Sequence, residues 1–439
     1  MFAATRNLLV SFRRGSIKNC AELETSASFG KINRSGRGVF AAFWSNLQLR
    51  SSKMRFDRLE GYLVRLPLKQ TARVADAPVD YCETVVVRLE SEGCSGWSEV
   101  APGASPTLTE EWSGATYLTL RNQIVPRVAE MKSAAKAEAF DDAFASLKGN
   151  RHAKAAIELA WQDLNARQQG VPLWKALGGE KKPLKVGLSF DRSVQKEEFF
   201  DGMQRLVDEN FARATLKIRP GWDVQIVSFA RVDYPAWLQL QVDVEGALDF
   251  DKHADTLYRM DDFFLNCVEQ PLNPRDFVAH AMLKDALRTP VCLDESIRSL
   301  QDAEIALDVE ACKVICMKPG RVGGLNEALK IAQFAQSKEV KCYAGCDLPS
   351  SLGYRSTLAL ASTENFLLPT DYLRFEETLE CDLVEPVKTT LIEEPGDETK
   401  GKPARNFRYV ELWDEPGIGV EPNIEEMAKY TLDKFVWTR

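Results

Sequence analysis

Histidine is scarce in this chain of 439 residues, with only His152, His253 and His280. That leaves little for imidazole catalysis or for a His-rich zinc site. No uncharged stretch reaches the ~20 residues that a membrane-spanning helix needs. Net positive charge is missing too. The formal balance of −8 argues against a nucleic-acid partner. No GxGxxG turn follows the strand-like run KVGLSF, so an open dinucleotide-binding sheet lacks its phosphate cradle. The ten cysteines are scattered, six of them between 267 and 346. The pairs 312/316 and 342/346 have no nearby His and lie on strand-like runs. They read as buried free thiols of a reducing compartment, with zinc as the weaker alternative.

The remaining composition, 45% hydrophobic and 27% charged, describes a globular protein long enough for two or three domains. A cytoplasmic location is the expectation. Residues 1–53 differ from the rest. They carry nine Lys or Arg against Glu22 and Glu24, a balance of +7 that leaves the rest of the chain at −15. The opening MFAATRNLLVSFRRGS, basic and acid-free, has the character of an organelle-import presequence. The alternative is an upstream start codon, with Met54 opening the protein proper. Either way, residues 1–53 are expected to add little to the fold.

From 54 to 103 the runs FDRLEGYLVRLPL and CETVVVRLES alternate apolar and polar residues, which predicts strands. The stretch QTARVADAPVDY between them reads as a loop. Residues 107–170 read as helical, and HAKAAIELAWQDLNARQQG has apolar residues at helical spacing and a glycine stop. Residues 54–180 are thus expected to form an α+β domain. From Leu184 the pattern becomes repeated βα: KVGLSF, RATLKI, LQLQVDV, FFLNCVEQ, PVCLDES, KVICMKP, KCYAG and ENFLLP give eight strands with amphipathic helices between. Residues 181–390 therefore predict a modified (β/α) barrel. The polar stretch 393–406 reads as an exposed loop, and residues 391–439 are expected to pack back on the first domain.

Five charged residues close successive apolar runs of the barrel: Lys217, Asp243, Glu269, Asp294 and Lys318, at gaps of 26, 26, 25 and 24 residues. Such a gap suits one strand, one loop and one returning helix, so the five gather at one rim of a parallel sheet. A single acid at a strand end would be an ordinary surface carboxylate. Three in sequence, flanked by two lysines, point to chemistry. Carboxylate oxygens are hard ligands, with no Cys or His spaced to help, so the set selects Mg²⁺ or Mn²⁺. Calcium is disfavoured because no loop clusters oxygen ligands. A lysine near a cation can serve as a base, and a carboxylate substrate held by the metal becomes an electron sink for removal of its α-proton.

The stretches TLKIRPGWD, QVD, CVEQPL, CLDES and MKPGRVGG, with GWSEVAP (96–102), AAIELAWQDL (155–164), PLWKALGG (172–179) and PGIGVEP (416–422), resemble the enolase superfamily. Within its muconate-lactonizing subgroup they look most like o-succinylbenzoate synthases and N-succinylamino acid racemases. The resemblance implies a capping domain over the mouth of the barrel, with loops near 71–80 and 103–107 shaping the substrate site. It implies Lys217 as base, Lys318 as opposite acid/base or cationic stabiliser, Asp243, Glu269 and Asp294 as metal ligands, and a small carboxylate substrate. Homo-oligomers are also common in the family. The implied reactions are dehydration to o-succinylbenzoate in menaquinone synthesis or, alternatively, racemisation of an N-acylated amino acid or dipeptide, with muconate cycloisomerisation ranked lower. A barrel that kept the fold without catalysis would be expected to lose one of the five residues, and none is missing. Departures fall at specificity positions. Thr215 stands where the family's Lys-x-Lys motif has its first lysine, and Glu245 where an asparagine is frequent. The seventh-strand segment AGCDLPSSLG (344–353) changes the substrate wall through Asp347, Pro349 and Ser350, and Thr215, Gly345, Asp347 and Ser350 are the expected substrate contacts.

Overall fold

The computed structural model describes residues 54–439, apart from 75–76, 132, 191–195, 398 and 400. The first 53 residues, and with them Cys20 and both readings of the leader, lie outside the described residues. No helix among the described residues is long and apolar enough to cross a membrane.

Three antiparallel strands open the fold: β1 (Arg58–Val74), β2 (Ala77–Ser91) and β3 (Cys94–Val100). Along β1 the residues Tyr62, Val64, Leu66 and Leu68 are buried while Arg65 is exposed, the two-residue period of a strand with one covered face. QTARVADAPVDY is a correction: both strands run on into it, with Ala72 opposite Val79 and Val74 opposite Ala77. The register slips between Pro67 and Ala72, where proline removes a ladder donor. Residues 71–74 and 77–80 are therefore the far end of a long hairpin.

The helix Arg151–Gln168 packs on β2 and β3. Gly96 permits this, because a Cβ there would lie 2.3 Å from the Ala160 carbonyl oxygen. The helix also reaches across to the barrel. Its buried Glu158 accepts hydrogen bonds from the Leu325 and Asn326 amides at 2.8 and 3.1 Å, at the start of the helix Leu325–Ser337. Glu99 of β3 does the same for the helix Ser351–Ala361, accepting from the amides of Ser350 and Gly353 at 2.9 and 2.8 Å. Two carboxylates from the first domain thus satisfy orphan amides at two helix N-termini, where the macrodipole favours negative charge.

The barrel strands are β4 (Leu184–Phe190), β5 (Arg213–Lys217), β6 (Gln239–Asp243), β7 (Val268–Glu269), β8 (Val291–Leu293), β9 (Val314–Met317), β10 (Lys341–Ala344) and β11 (Thr370–Asp371). β4 to β10 pair in parallel in chain order, and β11 pairs with β4. Cys342 of β10 bridges to Phe366, which closes the ring. ENFLLP thus leads into the eighth strand, which starts just beyond it at Thr370, after Pro369.

The segment after 390 divides. β12 (Thr390–Glu394) and β13 (Arg405–Val410) form a hairpin, and β13 pairs with β4 of the barrel. Only β14 (Thr431–Thr438) joins the first sheet, beside β1.

Candidate active site

Alternate residues of a strand share a face, so Arg213, Thr215 and Lys217 of β5 all face the barrel interior, as do Gln241 and Asp243 of β6. Lys217 pairs in register with Asp243, and Asp243 with Glu269. The next partner of Glu269 is Cys292, two residues before Asp294. Cys292 pairs in turn with Val314, which leaves Asp294 level with Cys316 and Lys318 a layer higher. The row climbs around the barrel, as strand stagger requires.

That stagger produces a correction. No cysteine had been expected near the acids, yet Glu269, Asp294 and Cys316 bring ligand atoms within 4.8 Å of one another, all three buried. Cys316 also belongs to a small apolar cluster inside the barrel, with Cys267, Cys292, Val314 and Tyr343. All nine described cysteines are free thiols, six of them buried.

Asp243 lies beside this group rather than within it. Its Oδ1 accepts the Glu245 amide at 3.0 Å, and its Oδ2 lies 3.8 Å from Lys217 Nζ. Glu269 Oε2 accepts from Gln241 Nε2 and from the Tyr343 hydroxyl, both at 2.7 Å. Asp294 accepts from Lys318 Nζ at 3.0 Å and pairs with the buried Arg321. Gln270 steadies that turn, its Oε1 accepting the amides of Asp294 and Ser296 at 3.0 and 3.1 Å.

Burial and then the neighbouring Asp243 and Asp294 push the Glu269 carboxyl well above the usual carboxylate range. Burial likewise pushes Asp243 up to about 6, against the pull of Lys217. Asp294 is also buried, but Arg321 and Lys318 hold it low. Burial and Arg321 oppose the charge on Lys318, yet Asp294 and Asp347 hold its pKa well above the usual lysine value. Three acids crowded at one rim, two of them forced toward protonation, are the electrostatic signature of a site that a divalent cation would relieve. Their hard oxygens fit Mg²⁺.

The other anticipated residues are distributed unevenly. Thr215 is buried one step below Lys217, and its hydroxyl has no hydrogen-bond partner. Gly345 and Asp347 line a cleft with Lys318 and Gly320, facing Val100 and Ala101 of the first domain. A Cβ at Gly345 would meet Cys316 Sγ at 2.3 Å, so only glycine fits there. Ser350 is fully buried. It caps the helix Ser351–Ala361, and its hydroxyl donates to the Glu99 carboxylate. Gln241, Gln270, Arg321 and Tyr343 are not singled out from the sequence, and Cys316 reads there only as one of several buried thiols. Gln241 and Cys316 each stand two residues before a chosen residue on the same strand, and Arg321 lies in KPGRVGG, so period-two reading would have found the first two.

A family model described as the mandelate racemase/muconate lactonizing enzyme N-terminal domain matches residues 62–178, and one described as enolase C-terminal domain-like matches 198–427. The chain belongs to the enolase superfamily. Among its relatives in that superfamily, an o-succinylbenzoate synthase of Geobacillus kaustophilus is 34% identical over 346 residues, covering 78% of this chain and 87% of the relative. An N-succinylamino acid racemase of Thermus thermophilus is 33% identical, covering 76% and 89%. A solved enolase-superfamily member from Listeria innocua superposes with a TM-score of 0.79 at 30% identity, over 88% of this chain and 99% of that one. Superfamily members bind Mg²⁺, and Glu269 and Asp294, with Cys316 beside them, form a candidate metal site.

Proposed function

We propose that this chain is a Mg²⁺-dependent o-succinylbenzoate synthase, which removes the proton α to a substrate carboxylate and eliminates water. The observation that carries the reading is the row Lys217, Asp243, Glu269, Asp294 and Lys318 around one rim, in a chain 34% identical to an o-succinylbenzoate synthase. Asp243, Glu269 and Asp294 would hold the ion. When bound, Mg²⁺ supplies electrophilic stabilisation of the negative charge that develops on the substrate carboxylate.

The chain's own residues do the rest. Lys217 Nζ takes the α-proton, and the departing hydroxide leaves as water with a proton returned from the same side. Lys318, held cationic by Asp294 and Asp347, faces the developing charge. Arg321 fixes Asp294 from behind. The small cleft between the Lys318 end and Val100–Ala101 borders the approach to that amine. The test is turnover of the cyclohexadiene carboxylate by purified protein with Mg²⁺, with the Lys217→Ala variant as control. Product formation that survives Lys217→Ala would refute the roles.

A second reading has its own support. A lysine stands at each end of the acid row, which racemisation of an N-succinylamino acid requires, and a relative at 33% identity is named for that activity. Exchange of the α-proton from both enantiomers in D2O would establish it.

A further inference from the structure

Glu245 stands two residues beyond Asp243, at the start of the loop that leaves β6. It is a left-handed residue, with φ of 50°, and it is followed by Gly246 at φ 69°. A side chain other than glycine, asparagine or aspartate is uncommon in that region, and such conformations persist where surrounding contacts over-determine them. Here they do. The Glu245 amide donates to Asp243 Oδ1 at 3.0 Å, and the Gly246 amide donates to the Gln270 carbonyl at 2.8 Å. The backbone turn therefore aims the Glu245 carboxylate back over the rim.

That carboxylate bridges two cations. One oxygen pairs with Lys217 Nζ and the other with Arg219. Arg219 is itself buried, and its Nη1 donates to the carbonyls of Ile218 and Val244 at 2.7 and 3.0 Å. Those carbonyls end β5 and continue β6, so the guanidinium fastens the acid to the two strands that carry Lys217 and Asp243. A carboxylate fixed by a guanidinium on one side can locate an amine on the other with little freedom left. Thr215, the next inward side chain of the same strand, carries no charge and its hydroxyl has no hydrogen-bond partner. Asp243 is 3.8 Å from the amine and is needed elsewhere if it serves the cation.

We infer that Glu245, clamped by Arg219, is a positioning residue for Lys217. It sets where the amine stands relative to the reacting carbon and has no corresponding effect on Lys318, whose partners are Asp294 and Asp347. This rests on the reading that a lysine removes an α-proton. The inference predicts an asymmetry that general loss of structure would not produce.

The experiment is α-proton exchange in D2O with Mg²⁺, followed by proton NMR, on the two enantiomers of N-succinylphenylalanine. Lys217→Ala identifies the enantiomer that depends on Lys217. Glu245→Gln slows exchange of that enantiomer by about 10- to 100-fold, the cost of a misplaced reacting group, and leaves the other within about twofold. Arg219→Gln slows the same enantiomer by a smaller factor, and it carries the test if Glu245→Gln does not fold. Equal slowing of both enantiomers, or no slowing of either, overturns the inference. If the wild-type enzyme exchanges neither, dehydration turnover with Mg²⁺ carries the test: Glu245→Gln lowers kcat by about 10-fold or more with KM within about twofold, an unchanged kcat overturns the inference, and a wild type inactive in both assays sinks the proton-abstraction reading itself.

Discussion

Lys318 and Lys217 end the same row of acids in different surroundings. Lys318 is 11% exposed, against 22% for Lys217. Behind Lys318 stand Asp294, Arg321 and Asp347, a buried network in which each charge has more than one partner. Its strand runs into the turn 319–324 and the helix Leu325–Ser337, whose first amides are held by Glu158 of the first domain. Lys217 instead depends on the loop after β6, through Glu245 and Arg219. The difference matches a division of labour. A group that stabilises charge works best when rigid and permanently ionised. Lys217, the base of the proposed reaction, has to be placed for proton transfer, and its described acid partners Asp243 and Glu245 both lie at the end of β6 and in the loop that follows it.

The widest break in this comparison is kinetic. Lys217→Ala is expected to lower dehydration turnover by about 10³-fold or more, within the range for loss of a general base. Lys318→Ala is expected to cost about 10²-fold, the scale of one lost electrostatic stabiliser, and base-dependent exchange through Lys217 should persist. Steady-state kinetics of both variants with Mg²⁺ would measure the gap.

A second break is in stability. Arg321→Met leaves Asp294 buried without its guanidinium, and losing one partner of a buried pair costs about 3–5 kcal/mol. Urea unfolding should register that loss, whereas Arg259→Met on the outer face of the barrel should change stability by less than about 0.5 kcal/mol.

Magnesium should sharpen the contrast from the acid side. At 100 times its dissociation constant the ion should stabilise the folded chain by about 2.7 kcal/mol, seen as a rise in melting temperature. Asp243→Asn should reduce that gain by weakening binding.

The smallest expected effect is a pH slope on the Lys318 flank. Burial pushes the Glu158 carboxyl up to about 7, against the amides of Leu325 and Asn326, which pull it down. An unfolded glutamate titrates near ~4.3. Between those values the folded chain keeps a proton that the unfolded chain has lost, so this group's favourable contribution shrinks as pH rises and levels off above about 7. Glu158→Gln removes the slope. The difference in stability between wild type and variant should therefore change by on the order of 2–3 kcal/mol from pH 4.5 to pH 8, measured by chemical denaturation at each pH.

Much of this arrangement was legible in the sequence because barrels repeat. The near-constant gap between Lys217 and Lys318 encodes one βα unit per charge, and the register of β5, β6 and β7 puts the first three charges level. What the gap does not encode is stagger. The rise from Glu269 to Asp294 and on to Lys318 depends on how strands tilt, and it brings Cys316 against the acids although it looked like one buried thiol among several. The hairpin end at 70–81 was misread because polarity suggested a loop, whereas antiparallel pairing with solvent on one face tolerates polar residues. The partners Arg321, Tyr343 and Gln270 were missed for a different reason. Their work is to hold other side chains, and a single sequence marks only chemistry-bearing residues at regular spacing.

The claim at the centre is that one divalent ion joins Asp243 to Glu269 and Asp294, between a base and a fixed cation. A crystal grown with Mn²⁺ and measured at the manganese absorption edge tests it most directly. One anomalous peak in contact with all three carboxylates is the expected result. A peak shared by Glu269, Asp294 and Cys316, with Asp243 still turned toward Lys217, would contradict it.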